Sequence, residues 1–308
     1  MYCFGVDIGG TTVKIGLFKT EGEVVDKWEI KTRTENGGEA ILPDIANALA
    51  AKMEEYHLAK TDVVGIGVGV PAPVSEEGIV QKTANLGWGY KEVKRELEEL
   101  TGFTVKVGND ANVAALGEMW KGGGVGHKNL VMVTLGTGVG GGIIINGHIL
   151  TGANGAGGEI GHLKMNPEET ECCGCGRKGC LEQYASATGV VRLAKKKLAN
   201  TNEATVLIAD TVSAKDVFDA VKEGDKVAIE IAKEFGTYLG SALVEISVLV
   251  DPSIYVIGGG VSKAGEILFD FIKEPYMEKA LFANKNIEFA LAKLGNDAGI
   301  YGAAKLVL

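Results

Sequence analysis

The sequence predicts an α/β protein of two similar halves, on three observations. Its 308 residues suit about two domains, each large enough for an ordinary core. Apolar strand-like runs alternate with amphipathic helical stretches, the pattern of sheets covered by helices. A threonine-bearing glycine turn between two strands occurs near residue 10 and again near residue 137, so the second half repeats a device of the first.

Composition narrows the class. With 46% hydrophobic and 23% charged residues the chain reads as a soluble globular protein, and its 45 glycines are about twice the usual ~7%, which points to tight turns and close ligand approach. A net charge of -9 argues against a nucleic-acid or membrane-surface partner, both of which need a basic face. No apolar run approaches the ~20 residues of a membrane span; Ser241 to Val250 contains Glu245 and stops at Asp251-Pro252. Met1 leads straight into an apolar strand without the regions of a signal peptide, so a cytoplasmic location is expected. Five cysteines in that compartment favour metal over disulfides, with Cys3 a plain core residue.

Taken in order, Tyr2 to Phe18 reads as strand, glycine turn, strand. Gly9 and Gly10 let the backbone curl into an anion nest, Thr11 and Thr12 add hydroxyl donors, and Asp7 sets a carboxylate beside it where hydrated magnesium fits. Lys14 follows, as a charge partner or a solvated side chain. A strand over Val24 to Ile30, a helix near Ile41 to Tyr56 and a buried strand over Val63 to Val70 lead to the loop PAPVS, at a strand end where sites in open sheets lie. Asn85 sits in a further loop, and a helix from about Tyr90 to Leu100 closes at Gly102. Val105 to Trp120 is strand, Asn109-Asp110, helix; Asp110 is open to two readings, a helix N-cap or a general base aimed into a cleft. Gly122 to Gly126 suits a hinge or boundary by composition.

Asn129 to Leu150 is the second strand–glycine turn–strand unit, with Thr137 and Gly138 in the turn and Asn146-Gly147 as a tighter one. Gly136 to Gly141 formally matches a dinucleotide fingerprint, but the strand IIIN follows where that fingerprint needs a helix. Helices are expected from Gln183 to about Lys197, over Ala214 to Lys222, and from about Asp225 to Leu249. The strand Tyr255 to Ile257 then meets three glycines before a helix; Gly259 and Gly260 suit either a tight turn or a flat ring lying on backbone. A strand over Ile287 to Leu291 and a helix in NDAGIYGAAKL end the chain.

The densest signals lie in Gly157 to Glu182. Cys173, Cys175 and Cys180 form C-x-C-x4-C with His162 upstream, which suits a closed tetrahedral zinc site, and Glu159 and Glu182 flank it.

The ordered set DIGGTT, NDANVAALGE, LGTGVGGG, GGEIGH, C-G-C-x4-C-L-E and a late V-I-G-G-G resembles the ROK family of bacterial sugar kinases and sugar-responsive repressors, the glucokinase branch above all. The resemblance spans essentially the whole chain. It implies a two-domain actin-like or hexokinase-like (ribonuclease H-like) ATPase fold with a central cleft: an N-terminal domain over 1–120 onto which the last helix, 296–308, packs back, and a larger domain over 121–295 that carries the zinc loop. It implies phosphorylation of glucose at the 6-hydroxyl by ATP with magnesium. Asp110 is then the base, and Asn85, Asn109, Glu159, His162 and Glu182 bind the other hydroxyls. Asp7, Gly9, Gly10, Thr11, Thr12, Lys14, Thr137, Gly138, Gly259 and Gly260 serve the nucleotide and its metal. Structural zinc on His162, Cys173, Cys175 and Cys180, and a homodimer, are likewise implied.

Two positions depart from the family pattern. One extra residue precedes Cys173, so Cys172 takes the usual spacing and Cys173 the motif position; a four-cysteine site using Cys172 is the competing arrangement. Ala72 stands where relatives often have glycine. Alternatives within the resemblance are a kinase for fructose, N-acetylmannosamine or N-acetylglucosamine, or a non-catalytic sugar sensor; a repressor would need a helix-turn-helix module ahead of the first hairpin. Loss of zinc is expected to impair sugar binding and leave nucleotide binding nearly unchanged.

Overall fold

The computed structural model describes all 308 residues. The elements follow in order: strands β1 (Tyr2–Ile8), β2 (Thr12–Lys19) and β3 (Val24–Lys31), a distorted single turn α1 (Glu35–Gly38), helix α2 (Ile41–Glu55), β4 (Val63–Val70), α3 (Val93–Thr101), β5 (Val105–Asn109) and α4 (Asp110–Lys121). The second series is β6 (Leu130–Leu135), β7 (Val139–Ile145), β8 (His148–Ile149), α5 (Glu182–Ala185), α6 (Ala187–Ala199), α7 (Ala214–Lys222), α8 (Lys226–Val250), β9 (Ile254–Gly258), α9 (Ile267–Lys279), β10 (Glu288–Leu291) and α10 (Ala298–Leu306).

Two five-stranded sheets form, in the orders β3-β2-β1-β4-β5 and β10-β9-β6-β7-β8. Each has three consecutive strands running outward from the first, then two strands added in parallel on its other side. The recurrence of the glycine hairpin is thus the visible part of a repeated sheet topology.

The chain divides into two compact units. One comprises Met1–Lys128, Gly142–Gly158 and Lys293–Leu308, the other Asn129–Gly141 and Glu159–Ala292. The boundary expected at residue 120 therefore falls after Lys128, and the returning segment begins at Lys293. Residues 142–158, expected in the second domain, belong with the first. Gly142 explains why: a β-carbon there would stand 2.5 Å from the Ala115 side chain, so this half of β7 lies directly on α4.

In the first unit β1 alternates as a strand covered on both faces should. Phe4, Val6 and Ile8 join Ile15, Leu17, Leu42, Ile45 and Leu49 in one cluster, while Cys3 packs with Phe18, Ile300 and Ala304 on the other face. Helix α10 approaches that second face at backbone distance. A β-carbon on Gly5 would lie 2.0 Å from the Ile300 carbonyl oxygen, and one on Gly67 would lie 1.7 Å from that of Ala303. Part of the glycine excess thus admits a helix, where the composition alone suggested turns and ligands. Glu118, fully buried in α4, accepts from Gly123 N (2.7 Å), Lys293 N (3.0 Å) and Leu294 N (2.8 Å), tying the end of α4 to the strand of chain that enters α10.

In the second unit α8 runs 25 residues from an Asp225 cap that accepts from Ala228 N, to Asp251 in the left-handed region (φ 44°). It packs on α9, and β9 is buried throughout, as a parallel strand covered on both faces must be. The helix expected from Gln183 to Lys197 is broken at Ser186, whose hydroxyl caps α6 by accepting from Gly189 N. The helix expected at Tyr90 begins at Val93, and the helix expected directly after the glycines 258–260 is a 3-10 turn, Val261–Ala264, ahead of α9. No helix is long and apolar enough to cross a membrane.

Candidate functional site

The first unit gathers its predicted residues at the carboxyl ends of β1, β4 and β5. Register pairs Asp7 with Gly69 and Val70 with Asn109, so the ends of three parallel strands carry Asp7 and Asn109-Asp110 to one edge, the position at which open α/β sheets bind ligands. Asp7 is pushed up to about 6, first by burial and then by the nearby Asp110 charge, with Lys14 opposing.

The helix cap falls on Asn109, whose Oδ1 accepts from Ala111 N (3.0 Å) and Asn112 N (3.2 Å). Asp110 is therefore the first helical residue, and of the two readings left open the cap belongs to its neighbour. Asp110 Oδ1 accepts from the Ala111 N–H at 2.8 Å. Asn109 also donates to the Ala72 carbonyl (3.2 Å), so most of its hydrogen-bonding capacity is committed inside the protein. Ala72 is buried beneath that contact.

The first hairpin closes by Gly9 N donating to Thr12 O (3.0 Å), and Thr32 braces it, its hydroxyl donating to Gly9 O (2.7 Å) and its N–H to Thr11 O (2.9 Å). The Gly9 N–H is thus used within the turn, which leaves Gly10 and Thr11 exposed at the tip, with Thr12 half-buried behind them. Asn85 stands against that tip, its β-carbon 3.2 Å from where one on Gly10 would be. Lys14 donates to the Asn296 carbonyl (3.1 Å) and is neither free nor fully solvated.

In the second unit His162, Cys173, Cys175 and Cys180 place one ligand atom each within 4.8 Å of one another. The set fits zinc. Sulfurs ~2.3 Å from a tetrahedral ion lie about 3.8 Å apart, and Cys175 and Cys180 Sγ are 3.7 Å apart. His162 Nδ1 is buried without a hydrogen-bond partner, the state of an imidazole nitrogen reserved for a ligand. A tight turn builds the C-x-C chelate, with Cys173 N donating to Arg177 O (2.7 Å) and Gly176 N to Cys173 O (2.9 Å). The Arg177 N–H and side chain hold the Cys175 thiol down at about 6, whereas burial pushes Cys173 up to about 12. Cys172 is exposed and lies outside the cluster. It pairs with Lys178 in a short antiparallel bridge, where adjacent residues face opposite ways.

Glu182 opens α5 and reaches the second hairpin, its Oε2 accepting from Val139 N at 3.0 Å and its Oε1 lying 3.5 Å from Cys173 Sγ. Thr137 is exposed at the tip of that hairpin, and Glu159 is exposed just before the 3-10 turn Ile160–His162. Gly259, at φ 85°, lies against the Leu135 backbone, and Gly260 lines a cavity of about 330 Å³ with Ala187, Ala214, Lys215, Phe218 and Val261. Sequence reasoning found the glycines and missed the other wall, because Ala214 and Phe218 on α7 read as ordinary core positions of an amphipathic helix.

Residues 3–308 match the model of the ROK family. The chain is 45% identical to a glucokinase of Halalkalibacterium halodurans over 98% of this chain and 94% of that protein. It is 37% identical to a glucokinase of Streptomyces coelicolor over 98% of this chain and 96% of the other. A ROK family glucokinase from Streptomyces griseus, solved in complex with glucose and AMPPNP, superposes with a TM-score of 0.74 at 34% identity, covering 99% of each chain. With the family matched from the first strand to the last residue, on a two-sheet α/β architecture, this chain belongs to the ROK family.

Proposed function

We propose that this protein is an ATP-dependent glucokinase that phosphorylates glucose at its 6-hydroxyl. The observation that carries it is the 45% identity to a glucokinase over nearly the full length of both chains. The residue assignments rest on the geometry within each unit.

Phosphoryl transfer asks little covalent chemistry of the protein, so positioning and charge dominate. Asp110 takes the proton of the 6-hydroxyl as the bond to phosphorus forms. Its place beside Asp7, with one carboxylate oxygen bonded to a backbone N–H, supports that role. Asn85, Glu159, His162 and Glu182 bind the remaining hydroxyls, and Asn109 adds the one side-chain N–H that its capping and Ala72 contacts leave over. The hairpin tips at Gly10–Thr12 and Thr137–Gly138 take the phosphates, and the cavity beside Gly260 takes the adenosine. Magnesium brought with the nucleotide would be held by Asp7 and supplies neutralising charge on the phosphates. His162, Cys173, Cys175 and Cys180 would hold zinc, which would serve to fix the geometry of their loop. A cytoplasmic location, where ATP and reduced thiols coexist, is part of the same reading.

A homodimer is also proposed. Leu249, at the end of α8, is 77% exposed and Phe282 89% exposed, with Leu281 and Val248 beside them in sequence, and Asn284 bonded to Asp251 (2.8 Å) holds the two segments together. Sedimentation velocity on the wild type and Phe282→Ser tests it: a dimer that becomes monomeric supports it, and a wild-type monomer at micromolar concentration refutes it.

The function itself is tested by coupled ATP-consumption kinetics on glucose, mannose, fructose, N-acetylglucosamine and N-acetylmannosamine. Glucose should have the highest kcat/KM. A higher value for an N-acetylhexosamine would reassign the substrate.

A further inference from the structure

The cysteine-bearing segment touches the second phosphate hairpin at three points, and the start of α6 touches it at a fourth. Glu182 Oε2 accepts from Val139 N at 3.0 Å. The same oxygen covers Gly138 so closely that a β-carbon there would lie 2.1 Å from it. Gly161, inside the GEIGH segment, packs on the other side, where a β-carbon would be 2.1 Å from the Val139 carbonyl oxygen. Ala187, directly after the Ser186 break, donates its N–H to Gly136 O at 2.8 Å.

Glu182 is itself held at the end of the cysteine loop by the backbone around it. Its Oε1 faces Cys173 Sγ at 3.5 Å, and its own carbonyl accepts the Ser186 hydroxyl at 2.7 Å. The next residue, Gln183, accepts from Gly179 N (2.8 Å) and Cys180 N (3.1 Å) through its side chain and donates to Glu171 O (3.1 Å). The path from cysteine cluster to phosphate turn is therefore short and lies within one unit: the chain from Cys180 to Glu182, braced by Gln183, then the Glu182–Val139 hydrogen bond, with glycine at both positions, 138 and 161, where a side chain would force the parts apart.

We propose that Glu182 is a positioning residue for the phosphate donor as well as a sugar ligand, and that the cysteine–histidine loop sets the second phosphate hairpin through it. A carboxylate with one oxygen anchored on Val139 N–H keeps the turn 136–138 in a single conformation, which lowers the ordering cost when a phosphate binds. The consequence departs from the expectation drawn from sequence: disturbing the loop weakens nucleotide binding even when no sugar is present.

The inference rests on the kinase reading, and the test separates the two. Binding of magnesium–AMPPNP is measured by calorimetry without sugar, on wild type, Glu182→Ala, Glu182→Gln and Cys175→Ser, each checked for folding by circular dichroism. Glutamine keeps an acceptor for the Val139 N–H without the charge. Glu182→Ala and Cys175→Ser should bind the nucleotide at least about fivefold more weakly and Glu182→Gln within about twofold of wild type, as expected when one charge-accepting hydrogen bond is lost or replaced. A Glu182→Ala protein that binds nucleotide as tightly as wild type, or more tightly, while losing glucose, overturns the proposal and leaves Glu182 a sugar ligand alone. A wild type that binds neither nucleotide nor glucose refutes the kinase reading instead.

Discussion

Gly302 in α10 and Val113 in α4 meet backbone to backbone: a β-carbon on Gly302 would lie 1.6 Å from the Val113 carbonyl oxygen. No rotamer relieves such an overlap, so Gly302→Ala must push α10 off α4. Overpacking of this kind costs typically 1–3 kcal/mol or more, and a loss of at least about 2 kcal/mol in urea unfolding is expected. Gly89→Ala, where nothing lies within 4 Å of the new β-carbon, is the matched control and should be nearly silent.

Asp110→Asn keeps the shape and the acceptor for Ala111 N–H and removes the base. Turnover should fall at least about a hundredfold, the ordinary worth of a positioned general base, while glucose binding by calorimetry stays within a few fold of wild type. Retained turnover would remove Asp110 from the mechanism.

Metal content discriminates the two ligand sets. Purified protein should carry one zinc per chain by elemental analysis, lost in His162→Ala, Cys173→Ser, Cys175→Ser and Cys180→Ser and kept in Cys172→Ser. Loss in Cys172→Ser with retention in His162→Ala would establish the four-cysteine arrangement instead.

Acid stability should depend on Glu169. Burial disfavours its charge, but the Tyr184 hydroxyl, the Glu171 N–H and the Arg192 guanidinium together outweigh it and hold the carboxyl at about 2 against an ordinary 4.5. The unfolded chain therefore binds the proton more readily, so the contribution is present above pH 4.5 and is lost as pH falls toward 2. A shift of this size corresponds to about 3 kcal/mol. Glu169→Gln should be less stable at pH 7 and show a flatter stability profile between pH 5 and 2; an unchanged slope would show that the network contributes nothing.

What could be read in the chain was local. The two hairpins were legible because a glycine turn between strands is decided by a few adjacent residues, and Asn146 and Gly147 take the positive φ angles (52° and 82°) that their two-residue turn requires. Where helices start was less legible, since Asn109 and Asp110 are both good caps and only the backbone conformation at 109 chose between them. The wall of the cavity beside Gly260 was invisible, because its residues are far apart in sequence and individually ordinary.

By itself the sequence determined the chemical inventory: Asp110 after a strand, two threonine–glycine turns, a C-x-C-x4-C set and a histidine upstream. Spacings of one to five residues restrict a turn or a chelate whatever surrounds them. Only the tertiary structure decided that Cys172 faces away from the cluster, that Gly5, Gly67 and Gly302 serve the close passage of α10, and that Glu182 rests on Val139. Those outcomes depend on where distant segments come to lie, which is set by the packing of the whole core and carries no short-range signature in the chain.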